Sequence, residues 1–368
     1  MSVRAVGACL LAVCVSPVLP VNGQGPRDRV ARAVAAMGGE RALRDLQTTT
    51  MDFNTATFGI GQEETPESAA RATVASGRII TDWRGGRRVL QQEVRPVAGG
   101  VQRQRRITAR GIGMLETDGR QTADGAGVVA GVERAIRLSP ERLLLNALEN
   151  AGGLQSLPAK EWRGDRSEGV RYAVGPDTLN LYFDSRSGLP LVSEVVTDDG
   201  ILGDRRTVIW YTRWQPAGGV QVPRQLDVTV NGRLQAHTVY PEVTAGASSD
   251  EVFAIPDSIA SRAPRGPVTT PPVVVQLVQL APNVWRAEGG SHHSLVIEQP
   301  RQLVVVEAPQ TSARSRAVLD TLRARFPGKP VGMVVNTHHH WDHSGGLRGY
   351  LAAGIPVVTH ARNAAFVR

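Results

Sequence analysis

Two patterns of hydrophobic and polar positions divide the chain. In its first two thirds, polar and apolar residues alternate through TTTMDFNTATF, GRIITDW, GVRYAV, TLNLYFD, LVSEVVT, RTVIWYTRW and VPRQLDVTV. A period of two sends one set of side chains to a buried face and the other to water, which predicts half-buried antiparallel strands. Turn chemistry separates the segments, in SRSGLP and in the Asn231-Gly232 pair, a strong hairpin signal because both residue types accept positive φ. Helical spacing appears in RDRVARAVAAMGGERALRDL, Arg27 to Leu46, where Gly38-Gly39 breaks the run into two short helices. It returns in SPERLLLNALEN, with Ser139 as N-cap, Pro140 at the first helical position and Glu141 in the first turn. Residues 24–257 are therefore expected to form an antiparallel meander, one curved sheet partly covered by helices.

Five prolines then fall between Pro256 and Val275. Proline at this density interrupts helix and sheet alike, so residues 258–275 read as an extended linker and a domain boundary. Beyond it, residues 276–368 change to strand and helix in alternation. VQLVQL, VWRAE, SLVIE and QLVVVEAP are strand-like, and SARSRAVLDTLRARF is a helix with Val318, Leu319, Leu322 and Phe326 on one side. VGMVVNT is a short buried strand, followed by a cluster of histidines, a helix from about Ser344 and a last strand, IPVVT. Strands followed by crossover helices imply an α/β layer. The fold class expected for the whole chain is α+β.

Composition changes this picture in three places. A chain of 368 residues is long enough for two domains with independent cores. The net charge of +8 raises nucleic acid as a partner, but of the 42 basic residues only Lys160 and Lys329 are lysines, and the arginines are spread along the chain. The densest stretch, Arg84 to Gly111, carries no aromatic residue to stack on bases, so it reads as solvated strand faces and no nucleic-acid partner is expected. Residues 1–23 read as a secretory signal, with Arg4, an apolar run from Ala5 to Leu19, and Val21 and Gly23 as small residues before a cleavage point at Gln24. That run is too short for a permanent membrane span, which needs about 20 apolar residues. The expectation is an exported protein, periplasmic or secreted, with no stable membrane span after cleavage. Cys9 and Cys14 both lie in the leader, which leaves disulfides no part in stability.

The chemistry concentrates in NTHHHWDHSGG, Asn336 to Gly346, which holds four of the eight histidines. If the backbone stays extended past Val335, His338 and His340 share one direction while His339 and Trp341 face away. Asp342 and His343 follow at the turn into a helix, where Gly345 and Gly346 permit close backbone approach. Imidazoles with a carboxylate are borderline N/O ligands that suit zinc, with manganese or iron as alternatives. Ser344 is more simply an N-cap than a nucleophile, since no base with its orienting partner is evident around it.

The H-x-H-x-D-H pattern of His338, His340, Asp342 and His343 resembles that of the metallo-β-lactamase superfamily, together with GGSHHSLVIEQPRQLVVVEAP and VVNTHHHWDHSGGLRGY around it. The resemblance spans about residues 278–368 and implies the first half of an αββα fold. It implies His338 and His340 on one zinc ion and Asp342 and His343 on a second, Asp342 thereby counting among the catalytic residues. The implied activity is attack by a metal-activated hydroxide on a small-molecule ester, lactam, lactone, thioester or phosphodiester. Glu307 stands where the family commonly has aspartate, and is expected to orient a ligand imidazole from outside the coordination sphere. His237, His292, His293, His339, Trp341 and His360 match no ligand position. The family's remaining ligands fall downstream of a position equivalent to Arg368, so the chain is expected to be a fragment with an incomplete site.

Upstream, a helix ending in Gly-Gly, the YFDSRSGLPLVSEVV hairpin, GVQVPRQLDV and DEVFAIP resemble periplasmic lipoprotein-carrier proteins over about residues 27–257. That likeness implies a concave sheet able to hold an apolar ligand. It supplies the alternative function: a cell-envelope binding protein for an apolar ligand, with an inactive hydrolase remnant.

Overall fold

The alternating segments pair into one large antiparallel sheet. The protein is seen in a computed structural model that describes residues 25–199, 203–264, 266 and 272–367, so the expected leader lies outside the described residues. From Thr48–Phe58 the sheet runs outward through Ala72–Asp82, Arg87–Arg95, Gln102–Ala109 and Ile112–Thr117 to Arg120–Ala123. A second run starts at Gln155–Trp162 and proceeds by neighbouring hairpins to Arg233–Val239, which pairs back onto Thr48–Phe58. The Asn231-Gly232 turn has φ of 48° and 83°, the two left-handed positions a tight hairpin needs.

Helices Pro26–Ala36, Glu40–Asp45, Ala126–Arg137 and Pro140–Glu149 cover one face of this sheet. Val30, Ala33, Leu43, Leu143 and Leu144 pack there on Val170, Leu179, Leu181 and Phe183, all nearly without solvent contact. Gly38-Gly39 does separate the first two helices, and Pro140 opens the fourth with Ser139 as its N-cap residue. The Ser139 hydroxyl, however, donates back to the Ile136 carbonyl at 2.8 Å, so only the backbone performs the capping. In the arginine-rich stretch, guanidinium groups meet carboxylates: Arg87 with Asp82 and Asp250, Arg103 with Glu93, and Arg106 with Asp124.

The proline-rich segment begins differently from its extended expectation. Asp257–Ala260 makes a helical turn, and Ile259 packs with Phe253 on Val89, Ile107 and Met114. A single well-placed apolar side chain outweighs the local proline signal.

The C-terminal residues form a separate six-stranded sheet in the order Gln276–Ala281, Val284–Glu288, Ser294–Glu298, Leu303–Val306, Val331–Asn336 and Val357–Thr359. The first four are antiparallel, and the last two join in parallel. Helices Ser312–Arg325 and Leu347–Ala352 supply the parallel crossovers, as parallel pairing requires. Val318, Leu319 and Leu322 meet Trp285, Ala287, Val296, Val305 and Val334 across the layer, and Trp285 lies edge-on to Phe326 at 5.5 Å. Among the described residues no helix is long and apolar enough to cross a membrane.

Candidate metal centre

The parallel strands Leu303–Val306 and Val331–Asn336 end side by side, in register at Val306 and Val335. The loops leaving those two ends carry the chemistry, the usual location of sites in parallel α/β sheets. Glu307 follows the first strand with φ of 71°, an uncommon conformation for a side chain of its size. Its N–H donates to Val335 O at 2.8 Å, and its carboxylate accepts from Thr337 N at 3.1 Å and Asn336 Nδ2 at 3.4 Å. Asn336 is buried and also donates to His343 O at 3.2 Å, so one amide ties both loops to the helical turn Trp341–Ser344.

That turn is pressed against the 308–311 backbone. Gly346 N donates to Ala308 O at 2.7 Å and Ala308 N donates to His343 O at 3.0 Å. A Cβ on Gly345 would stand 2.2 Å from Gln310 O, and one on Gly346 would stand 2.2 Å from Ser315 Oγ. Close approach, not an unusual φ, is what both glycines provide, since Gly345 has helical dihedrals. Gly345→Ala is expected to push the turn off Gln310 and lower the melting temperature of the C-terminal region, at a cost on the order of 1–3 kcal/mol as in other overpacked sites. Differential scanning calorimetry checks this: an unchanged transition would remove close approach as the reason for this glycine.

The imidazoles converge beyond the turn. Ring centroids of His338 lie 4.7 Å from His340 and 4.1 Å from His343. Two donor sets form among the described residues, Glu307 with His338 and His343, and His292 with Asp342 and His343, the donor atoms in each lying within 4.8 Å of one another. His343 belongs to both: its Nδ1 is 3.4 Å from Glu307 Oε2 and its Nε2 is 3.8 Å from Asp342 Oδ2. His340 stands beside these sets, its Nε2 2.7 Å from the backbone oxygen of Glu63 in the N-terminal sheet's loop.

Electrostatics favour metal-ready protonation states. Burial, with help from the neighbouring His343 and His340, holds the His338 imidazole below its ordinary range and therefore neutral. Burial also lowers His339. For Asp342, burial works upward but is outweighed by its own backbone N–H, the Gln62 amide and the adjacent imidazoles, so the carboxyl stays ionised below its usual range. A neutral imidazole at His338 and an ionised carboxylate at Asp342 are donor chemistry that zinc takes, and the residues present fit such an ion.

The sequence-derived candidates thus come together only in part. His338, Asp342, His343 and Glu307 meet, whereas His340 is engaged elsewhere through one ring nitrogen. His339 turns inward and is 2% exposed, while Trp341 is 43% exposed, so the two share no side. The motif helix starts at Trp341 with His340 as its N-cap residue, and the Ser344 hydroxyl donates to His339 O or His340 O at 2.8 and 2.9 Å rather than capping. His292, which matches no ligand position in the sequence pattern, also reaches the site: its Nε2 lies 3.3 Å from Asp342 Oδ2. Its signal was the preceding Gly289-Gly290 pair, whose φ of 127° and 105° bends the chain back over the site. His237 pairs with Asp227 in the large sheet, and His360 caps a 3-10 turn by accepting from Arg362 N.

A mixed sheet backed by helices, with histidines and carboxylates gathered at the ends of its parallel strands, defines the class: a metallohydrolase-like region. Residues 287–367 match the family model of the metallo-beta-lactamase superfamily. An (R)-specific secondary-alkylsulfatase from Pseudomonas sp is 32% identical over 79 residues, 21% of this chain and 12% of that protein. The chain therefore spans 12% of the length of this curated relative. Among solved structures, the metallo-beta-lactamase FIM-1 from Pseudomonas aeruginosa, in mono-zinc form, matches with TM-score 0.24 and 18% identity over 26% of this chain and 46% of its own. A LolA superfamily protein from Nitrosomonas europaea matches with TM-score 0.37 and 9% identity over 63% of this chain and 98% of its own.

Proposed function

We propose that the C-terminal region carries the first half of an αββα metal-dependent hydrolase site, serving an exported protein that acts on a small molecule. The observation that supports it most is the convergence of His338, His343, Asp342 and His292 at the ends of the parallel strands, which offers imidazole and carboxylate donors to zinc, or to manganese or iron. The bond cleaved is an ester, lactam, lactone, thioester or phosphodiester, and the alkylsulfatase relative adds sulfate esters to that set. When bound, zinc would supply Lewis acidity and a nucleophile at neutral pH. His338, His340, Asp342 and His343 are the residues assigned to hold it. Glu307, fixed by Thr337 and Asn336, sits against His343 Nδ1 and orients that ring. Asp342 remains ionised and keeps a carboxylate oxygen toward His343 and His292. Elemental analysis with a panel of chromogenic esters, lactams and sulfate esters tests this reading; a purified chain that takes up no divalent metal would sink it.

A second reading is favoured by a cavity of about 300 Å³ between the large sheet and its helices. Met51, Ile79, Trp83, Ile209 and Leu226 line it, together with the charged side chains Arg88, Arg134 and Glu141. Such a space suits a ligand with an apolar body and a polar end. An environment-sensitive apolar dye is expected to bind with 1:1 stoichiometry and to be excluded in Leu226→Arg. Dye binding that is unchanged in that variant would remove the cavity as the site.

A further inference from the structure

The hairpin between Thr48–Phe58 and Ala72–Asp82 is closed by residues 59–71, far more than the two to five residues such a connection needs. Long loops that are nonetheless ordered are usually held for a purpose. This one is held internally: Gly59 N donates to Arg71 O, the Thr65 and Ser68 hydroxyls lie 2.8 Å apart, and Gly61 N donates to Glu63 Oε2 at 2.8 Å. The Glu63 carboxylate is buried, 1% exposed, and forms an ion pair with Arg233 on the adjacent strand. The segment so clamped projects onto the histidine motif of the other sheet. Glu63 O meets His340 Nε2 at 2.7 Å, Glu63 Oε2 lies 3.6 Å from His339 Nε2, and Gln62 Nε2 reaches Asp342 Oδ1 at 3.5 Å.

The first of these contacts fixes a tautomer. A carbonyl oxygen can only accept, so His340 Nε2 must carry the hydrogen, and in the neutral ring the lone pair is then on Nδ1. Metal-binding histidines almost always donate their other N–H to a carbonyl or carboxylate, which sets ring orientation and the ligating nitrogen. His338 Nδ1 lies 2.8 Å from Thr337 Oγ1, a hydroxyl that can donate or accept and so selects no tautomer. For His340 the acceptor lies 277 positions away in sequence, in the other sheet.

We infer that Gln62-Glu63 is a positioning segment of the metal site: the N-terminal domain supplies the carbonyl that commits His340 to Nδ1 ligation, and the Glu63–Arg233 ion pair holds that carbonyl in place. This rests on the metal reading above. It gives the β-rich domain a role in the hydrolase site, since loss of the clamp lets His340 rotate without removing any ligand.

The test is zinc affinity of the full chain by chelator competition, with the visible spectrum of the cobalt-substituted protein as a report on ligand geometry. Glu63→Ala and Arg233→Met are each expected to weaken zinc binding roughly 10–100-fold, the range found when such supporting groups are lost, and to change the cobalt spectrum. Glu63→Gln keeps one acceptor oxygen, for Arg233, but turns an NH2 donor toward Gly61 N, and is expected to recover part of the affinity lost in Glu63→Ala. Glu64→Ala removes the same charge one residue along, from a side chain 78% exposed, and is expected to have no effect. Should Glu63→Ala fail to fold, Arg233→Met carries the same comparison. Zinc affinity and cobalt spectra unchanged in both variants would overturn the positioning role while leaving the metal site standing. An equal loss in Glu64→Ala would also overturn it, by assigning the effect to charge. No zinc uptake by the unaltered chain would overturn the metal reading and this inference together.

Discussion

Replacing His343 by alanine is expected to abolish zinc-dependent stabilisation of the C-terminal region while leaving the metal-free protein folded. The two halves of that expectation come from different atoms of one residue. The imidazole belongs to both donor groupings, so its removal leaves neither of them with three members. The backbone oxygen, which accepts from Ala308 N and Asn336 Nδ2, is retained in alanine, so the tie between the two loops survives. The side chain is 31% exposed, which limits the packing loss to about 1 kcal/mol or less, the ordinary range for substitutions outside the core. Zinc at a hundred times its dissociation constant stabilises a folded chain by about 2.7 kcal/mol. The unaltered protein should therefore show a zinc-dependent rise in melting temperature that His343→Ala lacks. His360→Ala, at an exposed histidine engaged only in a local turn, should retain it. A zinc-induced shift of equal size in His343→Ala would place the ion elsewhere.

What the sequence disclosed follows from how local each cause is. Strand identity in TLNLYFD or LVSEVVT needs only alternation within a few residues, and the Asn231-Gly232 turn needs only two residues that accept positive φ. The spacing from His338 to His343 is likewise local, and it carried the superfamily resemblance over the region that the family model matches. Contacts set by how distant loops lie against one another were out of reach. Nothing near Thr48–Phe58 announces that Arg233–Val239 returns to pair with it, nor that the loop after Phe58 will meet His340. His292 matches no ligand position in the sequence pattern because its proximity to Asp342 depends on a bend at two glycines and on a cation from a helix further along. The same reason explains Ser344: a hydroxyl before a Gly-Gly pair suits a cap, but the turn tightened by Gly345 against Gln310 starts the helix earlier and leaves Ser344 at its end.

That cation is Arg314, and Arg314→Met is expected to be the most destabilising single change in the C-terminal region. The guanidinium is 1% exposed and forms no ion pair with a carboxylate among the described residues; it donates to Gly289 O at 2.8 Å, Ser294 Oγ at 3.0 Å and Ala287 O at 2.9 Å. Two effects oppose each other. Burial penalises the charge and holds the guanidinium below its ordinary range, so an apolar replacement of similar length relieves a desolvation cost. Against this, the substitution strands the buried Ala287 carbonyl and Ser294 hydroxyl and takes the partner from the half-buried Gly289 carbonyl, at about 1–3 kcal/mol for each group left without a partner. The acceptors are fixed by the strand Val284–Glu288 and its exit, so they cannot turn outward to recover water, and the second effect wins: a net loss on the order of 3–5 kcal/mol. The consequence reaches the site, because Arg314 holds the Gly289 carbonyl while Gln310 Nε2 donates to Ser291 Oγ, and these two contacts fix the bend that carries His292. Urea unfolding should therefore show a lower midpoint for the C-terminal transition, with the transition of the large sheet unmoved. An undiminished midpoint would mean that the stranded carbonyls find water, and that the bend at Gly289-Gly290 is flexible enough to open.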